Sequence, residues 1–158
     1  MSTPSPDLPP PSEVRRRVLE DHVRVRLALQ ELRSSAEWAR TGVSDRGPNL
    51  RQEAGRFTDF FFQHLEMEEE ILLPTLRGVD AWGDARAERV LEEHLEQRQM
   101  LTELLEDLDR TPERLTRHAR HVLWLADAIE ADMLHEEESV LSEKLLHDDL
   151  VNVDSMGG

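Results

Sequence analysis

Hydrophobic residues recur every three or four positions along four long segments of the chain. This spacing places them on one side of an α-helix, where they can pack into a core. The pattern predicts helices over about residues 12–40, 49–78, 84–110 and 111–147. Their apolar positions include Val14, Val18, Val25, Leu29, Leu32, Ala36; Leu50, Ala54, Phe57, Phe61, Ile71, Thr75; Ala87, Val90, Leu101, Leu105, Leu108; and Leu115, Val122, Leu125, Ile129, Val140.

The residues between these segments indicate where the helices begin and end. Ser12 and Asp84 are candidate N-caps, and Thr111-Pro112-Glu113 is typical of a helix start. Pro74 should kink or end the second helix. Because the connections are short, we expect an all-α, up-down-up-down four-helix bundle over 12–147, with a flexible leader at 1–11 and a flexible tail at 148–158.

Composition narrows the chemistry that such a bundle can carry. The 158-residue chain has no cysteine and no tyrosine, which excludes disulfides, thiolate or iron–sulfur sites and a tyrosyl radical. Its formal charge of −15 disfavours nucleic acid and anionic membranes as partners. No apolar run reaches membrane-spanning length. We expect a cytoplasmic protein that is a monomer or a weak homodimer.

All four apolar stripes contain ionisable residues, which is costly unless they are paired or bind a metal. These residues are His22; His64 and Glu68; His94; and Asp132 and Glu136. Each lies about 10 to 15 residues from a predicted helix end on the same side of the bundle, or roughly 15–22 Å at 1.5 Å per residue. Unrelated core histidines have no reason to share one level, whereas a metal site requires it.

The ligand types and spacings favour two metal ions. His64 and Glu68 are four residues apart and face the same way, and Asp132 and Glu136 repeat that spacing. Imidazole and carboxylate ligands suit iron or manganese. Six ligands are more than one ion usually takes, so we expect two iron ions (Fe²⁺/Fe³⁺), with manganese as an alternative at one site. Glu68 and Glu136 can bridge them.

At these residues the sequence resembles the hemerythrin-like (HHE) family. That family has a lone histidine on the first and third helices and a His-x-x-x-Glu motif on the second and fourth. The stretch from His64 to Pro74, with its Glu68-Glu69-Glu70 run, matches the second helix closely, and His22 and His94 match the lone histidines. The resemblance covers about residues 12–147 and implies metal binding inside a four-helix bundle.

The fourth helix departs from the family pattern. When Glu136-Glu137-Glu138 is aligned with Glu68-Glu69-Glu70, the family's histidine position falls on Asp132. Asp132 is therefore the expected ligand on this helix, and the alternative is that His135 replaces or joins it. The remaining glutamates of both acidic runs are expected to form solvated faces.

This ligand set leaves two functional hypotheses. A third carboxylate favours higher iron oxidation states, which indicates an oxidase, oxygenase or peroxide-consuming protein that acts on O2 or peroxide, with or without a small organic substrate. A histidine-rich centre instead favours the ferrous state and suits a protein that binds or senses O2, NO or iron.

Overall fold

The computed structural model describes residues 8–41 and 47–150, with the backbone alone for 47–49 and 150. The α-helices are Pro11–Arg40 (α1), Gly47–Met67 (α2), Leu73–Val79 (α3), Gly83–Arg110 (α4) and Leu115–Glu138 (α5). A π-helical turn joins α2 to α3, so these two form one long bundle helix. The predicted all-α four-helix bundle is confirmed: α1 packs between α2 and α5, and α4 packs against α2, α3 and α5. No helix in the described ranges is long and apolar enough to span a membrane.

The helix boundaries differ from the prediction at both ends of the chain. Ser12 does not cap α1, which begins at Pro11 after Pro10. Its backbone N–H and its hydroxyl instead donate to the carboxylate of Asp148, at 3.0 and 2.7 Å. The fourth bundle helix ends at Glu138 rather than near His147. The boundaries of the leader and the tail stay predictions, because most of both segments lies outside the described residues.

The segment after α5 folds back over the end of the bundle instead of continuing as a helix. Leu141 and Leu146 are fully or almost fully buried, and the carbonyl of Leu141 accepts a 2.7 Å hydrogen bond from Arg15 Nε. Residues 139–147 were predicted as helix because the apolar stripe extends to Val140. Here turns bury these side chains in one apolar cluster with residues of α1, α3 and α4.

The π-helical turn explains how the second bundle helix accommodates Pro74. Proline has no backbone N–H and clashes with the carbonyl four residues earlier, so a regular helix is disfavoured there. The wider turn Glu68–Leu72 lets the Leu73 N–H bond to the carbonyl of Glu68 instead. The helix continues to Val79, and the buried position shifts from the predicted Ile71 to Leu72.

The close approach of α3 and α4 requires a glycine at the start of α4. A Cβ atom at Gly83 would lie 2.0 Å from the carbonyl oxygen of Leu76, which no side chain can tolerate. The helix begins at Gly83, directly after Trp82. Asp84, the predicted N-cap, instead accepts a hydrogen bond from Arg77.

A layer of polar residues divides the core into two apolar clusters. On α1, Val18 belongs to the smaller cluster and Val25 to the larger one, with His22 between them. Each of the other three bundle helices also has one residue of each cluster on either side of a buried polar residue. These polar residues are Glu68, His94 and Glu136. The level that the sequence pattern predicted is therefore present, and it crosses the whole bundle.

Candidate metal centre

Glu68 lies at the centre of the polar layer and contacts histidines from three bundle helices. Its Oε1 is 2.8 Å from His64 Nε2 and 3.2 Å from His22 Nε2, and its Oε2 is 2.9 Å from His94 Nε2. Glu136 approaches from α5, with Oε1 3.1 Å from His22 Nε2. All five side chains are buried, and Glu68 is only 1% exposed. Five of the six predicted ligands thus converge on one point.

The outward-facing nitrogen of each histidine is held by a second carboxylate. Nδ1 of His22 lies 2.7 Å from Glu137, and Nδ1 of His64 lies 2.6 Å from Asp21. Nδ1 of His94 lies 3.0 Å from Glu69. Such contacts fix the ring orientation and direct Nε2 towards the centre.

Two of these outer carboxylates are fixed in turn by arginines. Arg26 donates two 2.8 Å hydrogen bonds to Glu137, one to each carboxylate oxygen. Arg98 Nη2 contacts both oxygens of Glu69 at 2.8 and 2.9 Å. Burial alone would raise the pKa values of Glu69 and Glu137, but the arginines and the histidines lower both. The two glutamates therefore remain charged acceptors at neutral pH.

The electrostatic balance of the centre depends on Glu68. Burial alone would lower the pKa of His22 and of His64, but the neighbouring carboxylates raise them to about 10 and about 9. Burial opposes ionisation of Glu68, yet its three histidine neighbours hold the pKa well below the usual value. Burial and the charge of Glu68 together raise the pKa of Glu136. The centre thus brings together ionisable groups whose charges would be costly to bury singly.

The family of this chain follows from a comparison with family models. The model described as Hemerythrin HHE cation binding domain matches residues 14–145. The chain belongs to this family. No curated protein and no solved structure matches it.

The buried histidines and glutamates of this centre fit the cation binding that the family description names. Two groups have ligand atoms within 4.8 Å of one another: His22, His64 and Glu68; and Glu68, His94 and Glu136. We call the first group the sealed cluster. We call the second the open cluster, because Glu136 lines a cavity. Glu136 Oε1 is buried and accepts no hydrogen bond among the described residues, although it lies 3.1 Å from His22 Nε2. A buried carboxylate oxygen that accepts no hydrogen bond is suited to bind a cation.

Asp132 belongs to neither cluster. Its Oδ2 accepts a 3.0 Å hydrogen bond from Nε2 of Gln97, a buried residue of α4 that the stripe analysis did not single out. His135 is exposed and lines a cavity beside Glu136. The assignment of Asp132 as a ligand, and of His135 as its alternative, stays a prediction.

Sequence reasoning missed the outer carboxylates. Glu69 and Glu137 were expected on solvated faces, and that expectation is wrong because both bond to histidines and arginines of the centre. A signal was available, since Asp21 directly precedes His22 while Glu69 and Glu137 directly follow Glu68 and Glu136. An acid next to a ligand lies about 100° away around its helix, so it can reach a histidine on the neighbouring helix.

Proposed function

We propose that the chain is a non-haem di-iron protein in which Glu68 bridges two ions. The observation that carries this proposal is the division of the Glu68 oxygens: Oε1 faces His22 and His64, and Oε2 faces His94. One carboxylate shared by two ligand groups can bridge two ions, whereas one ion would use the ligands of only one group. Asp132 is the sixth ligand of this proposal, and it would exchange its bond with Gln97 for the metal.

The donor set supports iron, with manganese as an alternative at one site. Imidazole nitrogens and carboxylate oxygens suit Fe²⁺, Fe³⁺ and Mn²⁺, whereas a thiolate donor is absent from the sequence. The outer carboxylates Asp21, Glu69 and Glu137 increase the basicity of the three histidines. Added negative charge around the ligands favours the ferric state over the ferrous state.

We further propose that the centre activates O2 or peroxide. A pair of ferrous ions can supply two electrons to O2, one from each ion. The chain itself would provide a route for O2 or peroxide to the centre, because Glu136 of the open cluster lines a cavity of about 440 Å³. His22, His64 and Glu68 are each at most 3% exposed, so access from the sealed side is closed. Small molecules would therefore reach the centre from one direction.

A non-catalytic role in binding or sensing O2, NO or iron is the second candidate. It is favoured by the position of Asp132, whose carboxylate is bonded to Gln97 rather than grouped with the other ligands. Without Asp132 the centre has three histidines and two glutamates, and its lower negative charge favours a longer-lived ferrous state.

One experiment separates these functions. The iron content of purified protein is measured, and the fully reduced protein is then mixed with O2 while its absorbance is followed. We expect about two iron ions per chain and oxidation within seconds. A stable coloured O2 adduct that lasts for minutes would favour the carrier or sensor. An iron content near one that added Fe²⁺ does not raise would contradict the bridged pair.

A further inference from the structure

The cavity beside Glu136 has a positively charged rim on a chain that is otherwise strongly acidic. Arg86, Arg89 and Lys144 all line it, and Lys144 is the only lysine of the sequence. On a chain with a net charge of −15, these three cations form a local positive group around the opening. At physiological ionic strength charges are screened beyond about 8 Å, so this local group determines which ligands the opening attracts.

Two of the three cations have no partner in the part of the chain that the structure describes. Arg86 is occupied, since its Nη1 lies 2.7 Å from Asp80. Arg89 and Lys144 are exposed and form no ion pair with a described residue. They come from different elements, α4 and the turns after α5, so two cations without an ion pair lie at the opening, while the carboxylates of Glu93 and Glu136 line the same cavity.

The cavity has a buried apolar wall as well as its exposed cations. Val90, Val140 and Leu145 provide apolar wall, and Val90 and Val140 are at most 9% exposed. Glu136, which is 8% exposed, lines the cavity and also belongs to the metal centre, so it marks the inner end. A volume of about 440 Å³ falls within the range of small-molecule sites, which are mostly apolar with a few polar groups that fix orientation.

We propose that this cavity binds a small organic acid whose oxyanion group, carboxylate or phosphate, pairs with Arg89 and Lys144. The apolar body of the ligand lies along Val90, Val140 and Leu145, and its far end points to Glu136. This inference rests on the proposed function in one respect: the metal pair is what makes the inner end a reacting position. It names the chemical class of the organic substrate that the sequence leaves open.

Three probes with the same ring test the charge requirement: benzoate, phenyl phosphate and the neutral benzamide. Binding to purified protein is measured by titration calorimetry at moderate salt. We expect at least one of the two anions to bind at least tenfold more tightly than benzamide, and the tighter of them identifies the oxyanion. Equal affinity for all three probes would overturn the proposal.

Charge-removing variants test the assigned residues. Arg89→Gln/Lys144→Gln should weaken binding of the preferred anion at least tenfold and leave benzamide binding unchanged. The matched control is Arg40→Gln/Arg120→Gln, which removes the same charge from exposed positions: Arg120 lies about 24 Å from Glu136 along α5, and Arg40 lies about 27 Å from His22 along α1. Equal losses of anion affinity in both double variants would show that net charge alone causes the effect, and would contradict a defined site.

Metal content is measured in parallel, so the two proposals can fail separately. Anion binding that depends on Arg89 and Lys144 in a protein with no iron would reject the di-iron function and keep the cavity assignment. A protein that holds two iron ions, but whose anion binding does not change when Arg89 and Lys144 are replaced, would keep the di-iron function and reject the cavity assignment.

Discussion

The sealed cluster and the open cluster share Glu68 but differ in access and charge. The sealed cluster has two histidines and one carboxylate, and its members are at most 3% exposed. The open cluster has one histidine and two carboxylates, and Glu136 lines a cavity with a cationic rim. Under the proposed function, the difference predicts separate roles for the two halves of the centre: metal in the sealed half should mainly stabilise the bundle, and the open half should meet small molecules.

The largest effect is expected at the residue that the two clusters share. Glu68→Gln should remove metal from both clusters and leave less than about 0.2 ions per chain, because the bridge loses its negative charge. Since metal binding across helices adds to folding stability, the melting temperature should fall as well. Elemental analysis and thermal unfolding measure both effects.

Glu66→Gln is the matched control for this variant. Glu66 is exposed on the same helix, two residues away, and should keep both ions. A Glu68→Gln protein that still holds two ions would show that Glu68 is not the bridge.

Single histidine variants should divide the centre into its halves. His64→Ala removes a ligand of the sealed cluster alone, and His94→Ala removes one of the open cluster alone. Each should lower the metal content from about two ions to about one, with the larger loss of thermal stability for His64→Ala. His121→Ala, a partly exposed control on α5, should change neither. Loss of both ions in both variants would indicate one inseparable site.

The pH dependence of metal binding should come from both clusters, because His22 and His64 of the sealed cluster and Glu136 of the open cluster all have raised pKa values. In the metal-free protein the pKa of His22 is about 10 and that of His64 about 9, so both carry a proton at neutral pH. Binding must displace these protons, and affinity should rise with pH up to about 9, by as much as about 100-fold per pH unit for two protons. Competition titrations with Mn²⁺ at several pH values measure the slope, and a flat profile would contradict the protonated state.

The same pKa shifts determine how the metal-free bundle responds to pH. Both histidine pKa values are raised above the usual 6.5, so their stabilising contribution is complete below pH 6.5 and is lost as pH rises through 9 and 10. The melting temperature of the metal-free protein should therefore fall over that range, while His64→Ala should show a shallower fall.

The smallest effect is expected at the sixth ligand. Asp132 must give up its hydrogen bond with Gln97 to bind metal, so Asp132→Ala should lower metal affinity by less than about tenfold. His135→Ala should leave metal content unchanged. If His135→Ala empties a site while Asp132→Ala does not, His135 is the ligand on α5.

The helical period was sufficient to predict the bundle and the level of the centre. His22, His64, Glu68, His94 and Glu136 could be found because a buried stripe that contains ionisable residues breaks a strong pattern. What lies beside the stripe could not be found by the same argument. Glu69 and Glu137 resemble surface glutamates until the neighbouring helix places a histidine and an arginine against them.

The end of α5 shows a different limit of sequence reasoning. Val140 continues the apolar period, but the chain leaves the helix at Ser139 and buries Leu141 and Leu146 through turns. Periodicity records which residues are buried and not the backbone path that buries them. The cavity depends on that path, because Ser139, Val140 and Lys144 form part of its wall.

Anomalous diffraction at the iron edge, from crystals of the purified protein, tests the central claim most directly. We expect two peaks per chain, one beside His22 and His64 and one beside His94 and Glu136, with the carboxylate of Glu68 between them. A single peak, or a pair of peaks that Glu68 does not join, would contradict the account.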